Sequence, residues 1–135
     1  MTETYAALDT QYTIQLRNRL SVRPEIAFAY LHGSYVEGRP YHDMDVAVYL
    51  DPAWVGDVFD YEMSLSAELT LALHVMVDVH ALNGAPLGFC HAVLQGEVLF
   101  ARDEEALADY IERVSLEYMN YFWFAQLPEP RLAMP

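Results

Sequence analysis

Asp43 and Asp45 stand two positions apart in the stretch Asp43-Met44-Asp45-Val46-Ala47-Val48-Tyr49-Leu50. On a strand, side chains two apart point to the same face, so this pair presents two carboxylates side by side with Met44 turned away. Two like charges so placed call for a cation. Mg²⁺ takes oxygen ligands at about 2.0 Å and favours one or two carboxylates plus substrate phosphates, the set an Asp-x-Asp pair can supply. Strand-end aspartates are also common as solvated turn residues, and the pair by itself does not separate the two cases.

Upstream, Gly33-Ser34 follows the apolar run Ile26 to Leu31 and opens a short segment, Tyr35 to Gly38, long enough for one helical turn. Glycine permits close backbone approach, free N–H groups at a helix start favour anions, and the Ser34 hydroxyl can donate one more hydrogen bond, so a phosphate could sit there. Gly-Ser also marks ordinary turns. The third acid, Asp78, is set within Val75-Met76-Val77-Asp78-Val79. Burying an ionised carboxylate costs several kcal/mol unless a charge or metal compensates. An acid among valines therefore predicts a buried carboxylate held by a metal, in preference to an ion pair with one of only seven arginines. His80 shares a face with Asp78 and His42 adjoins Asp43. Either can approach such a site, and each reads first as a packed or solvated side chain.

Around these residues the apolar pattern predicts alternating helices and strands. Leu8, Tyr12, Leu16 and Leu20 recur every four residues, giving an amphipathic helix that ends near Ser21. Ile26 to Leu31 is too short for an ordinary helix and reads as a buried strand. Met44 to Leu50 is a second strand, closed by Asp51-Pro52. Asp57 is placed to cap a helix carrying Val58, Tyr61, Leu65, Leu69 and Ala72 at helical spacing. Strand character returns over His74 to Leu82, with a short helix over Pro86 to Leu94 and a brief strand over Glu97 to Ala101. Asp103 then caps a last helix whose first turn holds Glu104 and Glu105, favourable against the helix dipole. Its expected buried stripe is Leu107, Ile111, Val114, Tyr118 and Tyr121. Large aromatics at Tyr118 and Tyr121 to Phe124 occupy nearly every face of that helix, more than one stripe can bury.

The chain of 135 residues suits one domain, here residues 1–126, with a Pro-rich tail at 127–135. Hydrophobic residues make up 54%, enough apolar material to make disorder over most of the length untenable. No apolar run approaches the roughly 20 residues that span a bilayer, and the N-terminus lacks the regions of a signal peptide. A cytoplasmic protein with no membrane association is expected. The lone Cys90 has no internal disulfide partner and reads as a small core residue. A net charge of -13, with no lysine in the chain, repels phosphate backbones and disfavours direct nucleic-acid binding. A phosphorylated substrate would have to arrive with a metal cation.

The stretch GSYVEGRPYHDMDVAVYL resembles the signature of the DNA polymerase beta nucleotidyltransferase superfamily. Together with VMVDVHALNGAP and QGEVLFARDEEALADYIERVSLEYMNY, it makes the chain similar to the minimal nucleotidyltransferases, the antitoxins paired with HEPN-domain toxins. The similarity covers Ile26 to Phe124. It implies an α/β (α+β) fold, a small mixed β-sheet with helices packed on one side. It further implies ATP as donor, two Mg²⁺ ions, and transfer of AMP to a tyrosine of a HEPN ribonuclease toxin. In the family pattern Gly33 and Ser34 match the phosphate-contacting pair, Asp43 and Asp45 the ligands of both metals, and Asp78 the third acid. Asp78 would also draw the proton from the attacking hydroxyl. Two departures stand out. Only eight residues, Tyr35 to His42, separate Ser34 from Asp43, and His42 stands where serine is common. Arg39 in this shortened loop is either a triphosphate contact or a solvated side chain. Two other functions compete: an antitoxin that neutralises by contact alone, against which the three acids speak, and a transferase for a cationic small molecule such as an aminoglycoside. The exposed aromatics of the last helix are expected to meet the toxin, a second copy of the chain, or the first helix.

Overall fold

The computed structural model describes residues 2–33 and 43–127, with side chains from residue 11 onward. Ser34, Arg39 and His42 lie outside the described residues, as do most of the Pro-rich tail and the segment expected to form a helical turn. Element order is α1 (Thr2–Ser21), β1 (Ile26–His32), β2 (Asp43–Leu50), α2 (Val58–Leu73), β3 (Met76–Ala81), α3 (Leu87–Val93), β4 (Glu97–Ala101) and α4 (Glu104–Gln126). The four strands form one mixed sheet in the order β3-β2-β1-β4, with β2 and β3 parallel and the other pairs antiparallel.

The elements form where the local chemistry dictates. Asp57 caps α2 by accepting a hydrogen bond from the Asp60 N–H at 2.8 Å, and Asp103 caps α4 by accepting from Ala106 at 3.0 Å. Leu65, Leu69 and Leu73, four apart on α2, are all buried. At the end of α2, His74 takes the left-handed conformation with φ 60° and its N–H reaches the Thr70 carbonyl, closing the helix.

A second stripe on α2 does different work. Glu62, Ser66 and Thr70, also four apart, accept hydrogen bonds from the β3 backbone N–H groups of Ala81, Val79 and Val77 at 2.7, 2.8 and 3.0 Å. Those groups lie on the free edge of the sheet, since β3 has a strand neighbour on one side only. A polar stripe of the crossover helix thus seals the edge and holds β3 against β2. The resulting register sets Asp45 beside Asp78.

Strand periodicity divides the core in two. Met44, Val46, Val48 and Leu50 of β2 face one way with Val77 and Val79 of β3, and pack with Leu16 and Leu20 of α1 and the leucines of α2. The opposite face carries Phe28, Tyr30 and Ala47, covered by Cys90 and Val93 of α3 and by Tyr110 and Val114 of α4. Phe28 stacks on Tyr49, and the buried Tyr110 hydroxyl donates to the Cys90 carbonyl at 3.1 Å. The mixed sheet with helices is as expected. Helices cover both of its sides, however, because the second face is as apolar as the first and needs its own cover.

The last helix departs further from expectation. Tyr110 and Val114 are its buried residues, whereas Ile111 and Tyr121 are exposed. His91 stacks flat on Tyr118 at 3.6 Å. Beyond that contact Met119, Tyr121, Phe122, Trp123, Phe124 and Leu127 are all exposed. Among the described residues, the buried stripe of α4 thus stops short of its last turns.

Candidate active site

The two faces of β2 and β3 end differently. Toward the start of both strands, the α3/α4 face passes from Tyr49 and Ala47 to Asp45 and then Asp43, with Asp78 and His80 alongside on β3. Asp43 is exposed and Asp45 half-buried. One donor atom each from Asp45, Asp78 and His80 lies within 4.8 Å of the other two. Asp43 shares the face of Asp45 but falls outside this group. The expected trio of acids is therefore present as two acids and a histidine in close reach, with the third acid at the rim.

Asp78 is not buried. Its side chain is 53% exposed, because the valines on either side of it turn to α2 while Asp78 turns to the open face. The burial argument for this residue fails on strand alternation at a sheet edge, although the residue does stand beside Asp45. His80 was legible as a same-face neighbour two residues on. What was not legible is its closeness: Nε2 sits 3.0 Å from Asp78 Oδ2.

Asp45 shows the electrostatic consequence. Burial pushes its carboxyl above the ordinary range, the charge of Asp78 pushes the same way and more than Asp43 does, and His80 opposes them. Among the described residues no arginine pairs with any of the three acids. Across β1, His32 pairs in register with Asp45, and its Nε2 is buried without a hydrogen-bond partner. Burial, reinforced by His80, pulls His32 down to about 4, so it is neutral at pH 7. The Phe89 ring lies edge-on to both His32 and His80. Gly33 ends β1 with φ 85°, and a β-carbon there would collide with Asp45 Oδ2. This glycine is required twice, for its conformation and for the room it leaves the carboxylate.

The donor set fits a divalent cation: carboxylates from adjacent strands share one face, and their mutual repulsion is what a bound ion would relieve.

The polymerase beta nucleotidyltransferase family model matches residues 15–105, well over half of the chain. The chain belongs to that family. Solved structures agree with this nucleotidyltransferase at the level of the fold. It is similar to a chain of a toxin–antitoxin with AMP-PNP, at 25% identity over 84% of this chain and 90% of that one, with a TM-score of 0.66. It is similar to a chain of the tri-AMPylated Shewanella oneidensis HEPN toxin in complex with MNT antitoxin, at 24% identity over 83% and 92%, with a TM-score of 0.63. A chain of the toxin–antitoxin MntA–HepT matches at 21% identity over 87% and 92%, with a TM-score of 0.67. No curated protein matches this sequence. No described helix of the nucleotidyltransferase is long and apolar enough to cross a membrane.

Proposed function

We propose that this nucleotidyltransferase is the antitoxin of a HEPN-type ribonuclease toxin and silences it by moving AMP from ATP onto a toxin tyrosine. The observation that carries the reading is the pairing of Asp45 with Asp78 across β2 and β3 on one open face, with Asp43 beside them. Similarity to structures described with AMP-PNP and with a tri-AMPylated toxin supports the donor and the acceptor.

Asp43, Asp45 and Asp78 would hold two Mg²⁺ ions, which when bound neutralise the triphosphate and stabilise attacking and leaving oxygens. Gly33 leaves space for Asp45 and, with Ser34, would present backbone N–H groups to the phosphates; Arg39 would contact the triphosphate. Asp78 accepts the proton of the tyrosine hydroxyl. The tyrosine oxygen bonds to the α-phosphorus, the α–β anhydride bond breaks, and pyrophosphate leaves.

The toxin would dock on the far end of α4, where Phe122, Trp123 and Phe124 are all more than half exposed. Aromatic clusters of this kind are typical of interface cores. In this reading residues 1–126 form a single domain and 127–135 a Pro-rich tail.

Co-expression with the neighbouring HEPN protein, then intact-mass analysis after adding MgATP, tests the proposal. The expected result is a stable complex whose toxin gains mass in steps of one AMP. Association without added mass would make the chain a passive binder. Labelled ATP giving a labelled small molecule but no labelled protein would instead assign a small-molecule acceptor.

A further inference from the structure

We propose that His80 is itself a ligand of the cation site, so that the site prefers Mn²⁺, an ion that accepts nitrogen as well as oxygen, over Mg²⁺. The inference rests on reading the acidic face as a cation site, and it changes both the donor set and the expected metal.

Strand alternation places Met76, Asp78 and His80 on one face of β3, away from the core formed by Val77, Val79 and Ala81. His80 is thus not a core histidine; its side chain is 43% exposed. Its ring is nonetheless fixed in direction. Phe89 lies against it at 5.7 Å and 70°, and Nε2 points at Asp78 Oδ2, 3.0 Å away. A nitrogen and a carboxylate oxygen that close need a proton or a cation between them. Around an octahedral ion with bonds of about 2.1 Å, adjacent ligands stand about 3.0 Å apart and opposite ones about 4.2 Å. The three donor atoms of Asp45, Asp78 and His80 lie within 4.8 Å of one another, somewhat wider than the roughly 4.2 Å across such a sphere, so small side-chain rotations would bring them onto one ion. Asp43 is not in that group, so His80 stands closer to the pair Asp45 and Asp78 than the third acid does.

The chemistry of the donors selects the ion. Mg²⁺ takes oxygen ligands and gives up water reluctantly, and one imidazole in the set works against it. Imidazole suits transition ions, and among these Mn²⁺ is the one that also favours carboxylates. The competing role for His80 is to donate its Nε2–H to Asp78 and merely orient that carboxylate. Glutamine can take over that hydrogen bond but is a poor replacement as a nitrogen ligand, so His80→Gln separates the two.

The experiment uses the whole chain without nucleotide. Mn²⁺ is titrated by electron paramagnetic resonance with Mg²⁺ as competitor, and pulsed measurements on the bound ion look for coupling to a directly bonded nitrogen. The expected results are Mn²⁺ binding at least about tenfold tighter than Mg²⁺ and a clear nitrogen coupling. In His80→Gln the coupling should vanish and Mn²⁺ affinity should fall about tenfold, with Mg²⁺ affinity little changed. Tight Mn²⁺ binding without nitrogen coupling in the unaltered protein overturns the proposal while leaving the acidic cation site standing. Equal losses for both ions in His80→Gln also overturn it, in favour of the orienting role. Absence of Mn²⁺ binding overturns the cation site and this proposal together.

Discussion

The two faces of β2 and β3 come from alternate residues of the same strands, yet they are built to opposite ends. On the α1/α2 face Met44, Val46, Val48, Val77 and Val79 are fully or almost fully buried. On the α3/α4 face the same stretches contribute Asp43, Asp45, Asp78 and His80, all of them partly or largely exposed. The difference shows how a small domain can carry crowded charges without losing its fold: a dry face anchors the strands, and the open face can then hold groups that repel one another. Two acids make the same point. Glu25 lies where chain segments meet beside α2; burial would raise its carboxyl, but the hydrogen bond from Tyr61 and the charge of Arg23 outweigh that and hold it below the usual range. Asp45 is pushed up by burial and, next, by the charge of Asp78 beside it. One carboxylate has a hydroxyl and an arginine beside it, and the other has no arginine partner among the described residues.

The largest expected effect sharpens this division. Asp43→Asn with Asp45→Asn should lower AMP transfer by about a thousandfold or more, since electrostatic stabilisation of the reacting groups is lost. Thermal unfolding should stay unchanged or rise, because two repelling charges are removed. Transfer at the original rate by the folded double variant would remove these residues from the site.

On the opposite face, Leu69→Ala should cost about 2–5 kcal/mol of stability in chemical denaturation, because Leu69 is fully buried between helix and sheet. Transfer per folded molecule should remain. A variant that kept its stability but lost transfer would mean that the two faces are coupled rather than separate.

Gly33→Ala tests the seam between them. The left-handed backbone at Gly33 should cost about 1–2 kcal/mol with alanine in place, and the added methyl should displace the Asp45 carboxylate. Transfer is expected to fall roughly tenfold while ATP-independent association with the toxin persists, as a binding assay without nucleotide would show.

The smallest effect belongs to Glu25. Its folded pKa is depressed, so its contribution is present above the unfolded value and is lost as pH falls through the lower folded one. Melting temperatures measured from neutral pH down through the carboxylate range should fall less steeply for Glu25→Gln than for the unaltered protein. Identical slopes would show that this carboxylate is not specially held in the fold.

Period-two alternation, read along single segments, was enough to put Asp43 and Asp45 on one face and Asp78 with His80 on one face. Polar residues ahead of apolar stripes marked the helix starts at Asp57 and Asp103, and both caps form. These readings worked because each depends on residues within one or two turns of each other. Tertiary structure alone decided that β3 would be the edge strand, parallel to β2, with Asp78 in register beside Asp45. That register is held by Glu62, Ser66 and Thr70 on a helix whose spacing suggested only an apolar stripe. Being at the edge is what left Asp78 open to solvent, against the expectation that valines on both sides would bury it. The aromatics at the end of α4 follow the same logic. Their helical pattern is local and was legible, but whether any surface covers them depends on where the sheet ends, and no spacing along one helix encodes that.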